Sequence, residues 1–212
     1  HRLVVQGEAR LGVVPGEGRA DAPGAGRHLA QAAPLEAFAQ LEDFLLDRVR
    51  YYFREIRGFA WDEVSAVLAA GWDDLIDAEE RLEAVREVRP TENFEPVAAG
   101  FKRIKNILRQ AGDGIGAASL NPALLEEGPE AALYQALSEA TARLATLSWR
   151  EKVQALASLR PYIDQFFDKV MVNVPDPALR QNRLTLLHTM LAEFSTIADF
   201  SEIVTSSQTL EN

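Results

Sequence analysis

Val97, Phe101, Ile104 and Leu108 recur at i, i+4, i+7 and i+11 within the stretch from Thr91 to Arg109. That spacing puts all four on one face of a helix, and it is incompatible with a strand, whose faces alternate at every residue. The same period returns along most of the chain, so helices packed on helices are the architecture open to it. Lys102, Lys105 and Arg109 fall at i, i+3 and i+7 on another face of this helix, with Asn106 beside them and Arg103 nearby. No acid interrupts Phe101 to Ala111. In a chain of formal net charge −10, this is the clearest local concentration of positive charge. Two readings stand side by side. Cations and an amide on a helix anchored by its other face can grip a phosphate backbone. Alternatively, the cations pair with acids on neighbouring helices as an ordinary solvated face.

The first 34 residues differ from the rest. They are rich in Gly, Ala, Arg and Pro and lose all periodicity after Leu11. Residues 1–34 are therefore expected to be poorly ordered or the remnant of a preceding domain, and a start at His1 fits a fragment. Leu35 to Arg57 reads as a helix bounded by Pro34 and Gly58, with Phe38, Leu41, Leu45, Val49, Tyr52 and Ile56 as its buried stripe. Trp61 to Ala69 and a segment opening at Trp72-Asp73-Asp74 follow as helices. The acids Asp73, Asp74, Asp77, Glu79 and Glu80 suit the second helix's dipole better than a metal site, which needs carboxylates from several directions. Pro90 breaks the chain, and Thr91 is a plausible N-cap for the cationic helix. Gly112 to Gly116 ends that helix and places a joint at about 112–120.

Beyond the joint, Asn121-Pro122 opens a short helical piece and Gly128-Pro129 a longer one, from Glu130 to Thr146. Ser148-x-x-Glu151 has the form of a capping box. Pro161 kinks the following helix or starts another. Asp176-Pro177 opens the last long helix, with Leu184, Leu187, Leu191, Phe194 and Ala198 on one face. The predicted fold is thus all-α: a bundle of about seven to eight helices over residues 35–203, with a tail at 204–212. Arg180, Asn182 and Arg183 form a second basic cluster at the start of the last helix, where cations oppose the dipole. Either RNA holds them there, or acids do, with Asp176, Asp164 and Asp168 the nearest in sequence.

Hydrophobic content of 47% permits a sizeable core, and no apolar run is long enough to span a membrane. The N-terminus lacks an apolar stretch of signal-peptide length. Cysteine is absent, which removes disulfides and thiolate chemistry and fits a cytoplasmic setting. His1, His28 and His188 are scattered, and no nucleophile elbow, phosphate loop or zinc spacing occurs. A phosphohydrolase would require a His–Asp metal pair that this sequence lacks. The chain reads as a binding or assembly module. Its acidity argues against sequence-blind nucleic-acid binding. A basic patch on an acidic body still suits a defined RNA, because the surroundings reject wrong poses.

Five stretches in one order resemble the C-terminal part of bacterial glycyl-tRNA synthetase beta subunits. They are Phe44 to Glu55, Asp62 to Ala69, Glu92 to Leu108, Phe166 to Asn173 with Asp176 to Leu184, and Ile197 to Ser201. The resemblance implies a helical domain related to the anticodon-binding domain of arginyl-tRNA synthetases. It implies that residues 35–203 grip the anticodon arm of tRNA(Gly); the two basic clusters, Lys102, Arg103, Lys105, Asn106 and Arg109 with Arg180, Asn182 and Arg183, are then the candidate contacting residues. It implies an alpha subunit partner that joins glycine to tRNA using ATP and magnesium, in a hetero-oligomer, with no catalytic residue and no cofactor in this chain. The alternative is a structural module that docks the alpha subunit or other beta segments without touching RNA.

Overall fold

The computed structural model describes residues 29–112 and 119–205, with side chains from residue 37 onward. Eight α-helices occur among the described residues, and no strand. They are α1 (Leu29–Tyr51), α2 (Trp61–Ala69), α3 (Leu75–Val88), α4 (Phe94–Ala111), α5 (Pro129–Leu144), α6 (Trp149–Ser158), α7 (Arg160–Lys169) and α8 (Pro177–Ser195). A π-helical turn, Tyr52–Ile56, follows α1, and 3-10 turns occupy Pro122–Leu124 and Phe200–Glu202. The all-α prediction holds. The chain divides into two units, His1–Leu45 and Leu46–Asn212, and the second holds the core. The joint expected at 112–120 and the tail at 204–212 fall mostly outside the described residues, as does most of the 1–34 segment.

Side-chain caps set three of the eight described helix starts. Asp74 accepts hydrogen bonds from the Ile76 and Asp77 N–H groups, and Asp176 accepts from Ala178 and Leu179. Ser148 and Glu151 close a reciprocal capping box. Each such cap satisfies donors that a helix start leaves orphaned, a contribution of about 1 kcal/mol. Thr91 does something else than expected. Its Oγ1 donates to the Val88 carbonyl at 2.7 Å and so closes the end of α3, while α4 starts at Phe94 without a side-chain cap. Pro161 sits in the first turn of a new helix, α7, and not at a kink.

Helix α8 is the centre of the second unit. Six successive residues, Asn182 to Leu187, are buried, so this stretch has no solvent face at all. α4 packs on α7, α8 and the second 3-10 turn. Phe101 meets Phe194 and Phe200 edge to face, at centroid distances of 6.3 and 5.8 Å. Gly100 lets α4 approach α7 closely, because a Cβ there would lie 3.0 Å from Ile163 Cγ2.

One buried and one half-buried cation stitch the segment after α8 to the early helices. The Arg81 guanidinium donates to the carbonyls of Val67, Gly71 and Ile197 and to the Asp77 carboxylate. Arg89 forms a two-pronged pair with Asp62 at 2.7 and 2.9 Å and reaches Glu63 at 2.9 Å. Asp62 also accepts from the Val204 N–H at 2.8 Å. Burial pushes the Asp62 carboxyl up, but the Arg89 guanidinium and the Val204 N–H outweigh it, and the net shift is downward.

The stripe predicted for the first helix is overturned except at Val49, which is half-buried against the core. Phe38, Leu41 and Leu45 are solvent-exposed in the first unit, and so are Tyr52 and Ile56 in the second. Phe53 is the residue that turns inward, at 1% exposure, stacking edge to face on Phe59. For Tyr52 and Ile56 the reason is the π turn. With i→i+5 bonding, each residue advances less than 100° around the axis, so the three-and-four rhythm no longer tracks one face past Tyr51.

Candidate nucleic-acid interface

The apolar face of α4 buries Phe94, Val97, Ala98, Phe101 and Ile104, and this fixes the opposite face outward. Lys102, Lys105 and Arg109 are exposed there, with Asn106 half-buried between them. Together with Ser201 and Glu202 of the second 3-10 turn they line an open groove of about 310 Å³. The five residues of α4 do not play equal parts. Lys102 has no ion-pair partner among the described residues. Arg109 donates to Asn106 Oδ1 at 3.1 Å, so the amide oxygen is engaged within the helix face. Arg103 leans away, its guanidinium carbon 4.1 Å from the centre of the Phe167 ring on α7.

Lys105 is held in place by acids. Its Nζ donates to Asp199 Oδ2 at 2.5 Å and to Ser201 Oγ at 3.0 Å, with Glu202 Oε1 3.9 Å away. Asp199 in turn accepts from the Ser201 N–H and hydroxyl. Burial raises the Asp199 carboxyl, but Lys105 and Ser201 overcome that and hold it below the usual carboxylate range. Both sequence readings of this helix therefore apply, to different residues. Lys105 pairs with neighbouring acids, while Lys102, Asn106 and Arg109 remain available. Ser201 and Glu202 escaped the sequence reading as site residues. The resemblance through Ile197 to Ser201 was the one signal near them.

The second basic cluster is corrected. Asn182 is buried, accepting from the Asn121 N–H at 2.8 Å and donating to the Asn121 carbonyl at 3.1 Å. Arg183 is 3% exposed, with its guanidinium on Glu130 at 3.0 Å, Glu126 at 2.5 Å and the Met171 carbonyl at 2.9 Å. Neither side chain has a polar atom to offer RNA in this structure. Acids do hold Arg183, but not the ones nearest in sequence: Asp176 caps α8 and Asp164 pairs with Arg160. Arg180 alone of the cluster is exposed, with one long bond to Asn173 at 3.3 Å. Among the described residues no group of three or more His, Asp or Glu side chains is placed to hold a metal ion. No described helix is long and apolar enough to cross a membrane.

The sequence signature of the DALR anticodon binding domain matches residues 97–205, about half of the chain, from the first turn of α4 to just past the second 3-10 turn. The chain belongs to the DALR anticodon binding domain family. The groove lies wholly inside the DALR segment. The chain is also similar to curated proteins named glycine–tRNA ligase beta subunit. The relative from Acidobacterium capsulatum is 46% identical over 173 residues, covering 77% of this chain and 24% of the relative. Those from Dechloromonas aromatica and Myxococcus xanthus are 42% and 37% identical over 171 and 181 residues. This chain spans about a quarter of the length of these relatives.

Proposed function

We propose that this chain binds tRNA(Gly) through the exposed face of α4, gripping the anticodon arm as part of a glycine–tRNA ligase beta subunit. The observation that carries the reading is the groove lined by exposed Lys102 and Arg109 with half-buried Asn106 between them, within the DALR segment. Cations hold phosphates, and the Asn106 amide reaches a base edge or a 2′-hydroxyl. In this reading the alpha subunit performs the ATP-dependent glycylation, with its magnesium, in a hetero-oligomer with the beta subunit in the cytoplasm. This chain contributes positioning and no bond-making step. Titration of the folded chain with labelled tRNA(Gly) tests it. Affinity should fall with salt with a slope of about −1.4 for two phosphates, held by Lys102 and Arg109 on a single-stranded loop. Lys102→Ala with Arg109→Ala should weaken binding and flatten that slope. Absence of binding at low salt refutes the reading.

A specific observation favours a second role beside the first. Tyr52 and Ile56 of the π turn are 41% and 63% exposed, an apolar face of the kind that meets another protein surface. The role is docking of the alpha subunit or another beta segment. Tyr52→Ser with Ile56→Ser should then abolish capture of the alpha subunit by the intact beta subunit while tRNA affinity stands. Unchanged capture removes this role.

A further inference from the structure

The groove beside α4 is not uniformly positive. One wall presents Lys102, Asn106 and Arg109, and the other presents the Ser201 hydroxyl and the Glu202 carboxylate. Glu202 is not needed to neutralise Lys105, because Asp199 already sits on that ammonium at 2.5 Å while Glu202 stands 3.9 Å off and 44% exposed. Nor is its place accidental. The Glu202 N–H donates to the Asp199 carbonyl at 3.0 Å, and the Asp199 carboxylate pins the turn through Ser201 and Lys105. The carboxylate is thus carried on a preorganised turn.

A site for phosphate alone has no use for that group, which repels an anion at this range. A nucleotide is different, being anionic along its backbone while its base edge carries N–H donors. An ionised carboxylate only accepts hydrogen bonds. The amino groups of cytosine, adenine and guanine suit it, as carboxylates suit the cytosine N4 amino group elsewhere. Uracil offers one N–H between two carbonyl oxygens that face the carboxylate unfavourably.

We propose that Glu202 is a specificity-determining residue of this groove, accepting from the amino group of an unpaired base whose flanking phosphates Lys102 and Arg109 hold. Uracil at that position is disfavoured. The proposal rests on the RNA-binding reading above and adds a base preference to it.

The experiment compares single-stranded oligocytidylate with oligouridylate of equal length, titrated against the 212-residue chain at roughly 50 mM salt. Both ligands carry the same phosphates, so the phosphate contribution cancels in the affinity ratio. The chain should bind oligocytidylate about tenfold more tightly. Glu202→Gln both donates and accepts, and should bring the ratio close to one, chiefly by tightening oligouridylate. A matching melting temperature shows that the variant is folded, as expected for a half-exposed side chain. Equal affinities in the unaltered chain, or a preference that Glu202→Gln leaves intact, overturn the assignment while RNA binding stands. Failure of both oligomers and of tRNA to bind overturns the RNA reading and this proposal with it.

Discussion

Replacing Arg183 by Met strips a buried cation from two carboxylates and a carbonyl while keeping much of the side chain's apolar bulk. Glu130 is 1% exposed, and its Oε1 already lacks a hydrogen-bond partner, so loss of Arg183 leaves a buried carboxylate with no counter-charge. Glu126 is 65% exposed and simply returns to water. Breaking one side of a buried pair costs about 3–5 kcal/mol. That is a large share of the ~5–15 kcal/mol that holds a typical domain together. Arg180→Ala, by contrast, removes one long bond at an exposed site and should cost under about 0.5 kcal/mol. Adding Glu130→Gln to Arg183→Met removes the stranded charge and should recover much of the loss. Urea unfolding of the three variants, followed by circular dichroism at constant m, measures each number. A loss below about 1 kcal/mol for Arg183→Met, or no recovery in the double variant, refutes the view that this ion pair locks α5 to α8. Weakened tRNA binding by the folded variant would return Arg183 to the interface.

Three further outcomes are expected. Gly100→Ala should give no net stabilisation, because the helix-propensity gain of about 1 kcal/mol is spent against Ile163 Cγ2; a clear rise in melting temperature would show that α4 and α7 have room to spare. Arg103→Ala should lower stability by roughly 0.5–1 kcal/mol through loss of its Phe167 contact, and should weaken tRNA binding less than Lys102→Ala does; the reverse ranking would make Arg103 the main phosphate contact. The folded Asp62 and Asp199 carboxyls both sit below their ordinary value of 3.8, so their contribution is complete above that pH and is lost as pH falls through the lower folded values. Stability should therefore drop from about pH 4 downward, and Asp199→Asn should flatten that limb; an unchanged acid limb in urea midpoints would count against the Lys105–Asp199 pair.

The helices themselves were legible because their signals are local. Ser148 with Glu151, Asp176 with Pro177, and the α4 periodicity each need no more than a dozen residues of context. The burial of α1 was not legible, since a stripe reads the same whether or not a surface meets it, and since the π turn slips the rhythm at Tyr52. Arg180 and Arg183 read from sequence as one basic cluster, yet the first is exposed and the second buried. Faces lose meaning along Asn182 to Leu187, where every residue is buried, and the acids that hold Arg183 lie 53 and 57 residues upstream. The α4 cations were found from sequence, but their division of labour was not. What occupies Lys105 lies 94 residues away.

The same long stitches set a timetable for synthesis. The Arg81 guanidinium waits for a carbonyl 116 residues later, and Asp62 for an N–H 142 residues later. At roughly 5–20 residues per second, a ribosome needs about 7–28 s to travel that distance. For all that time α2 and α3 carry buried-type charges without their final partners, and Lys105 lacks Asp199. The groove is therefore assembled late: a nascent chain can show the α4 cations well before it has the acidic wall that shapes them. A truncated or stalled chain would bear the basic helix without its acidic wall, where the finished one has a bounded groove.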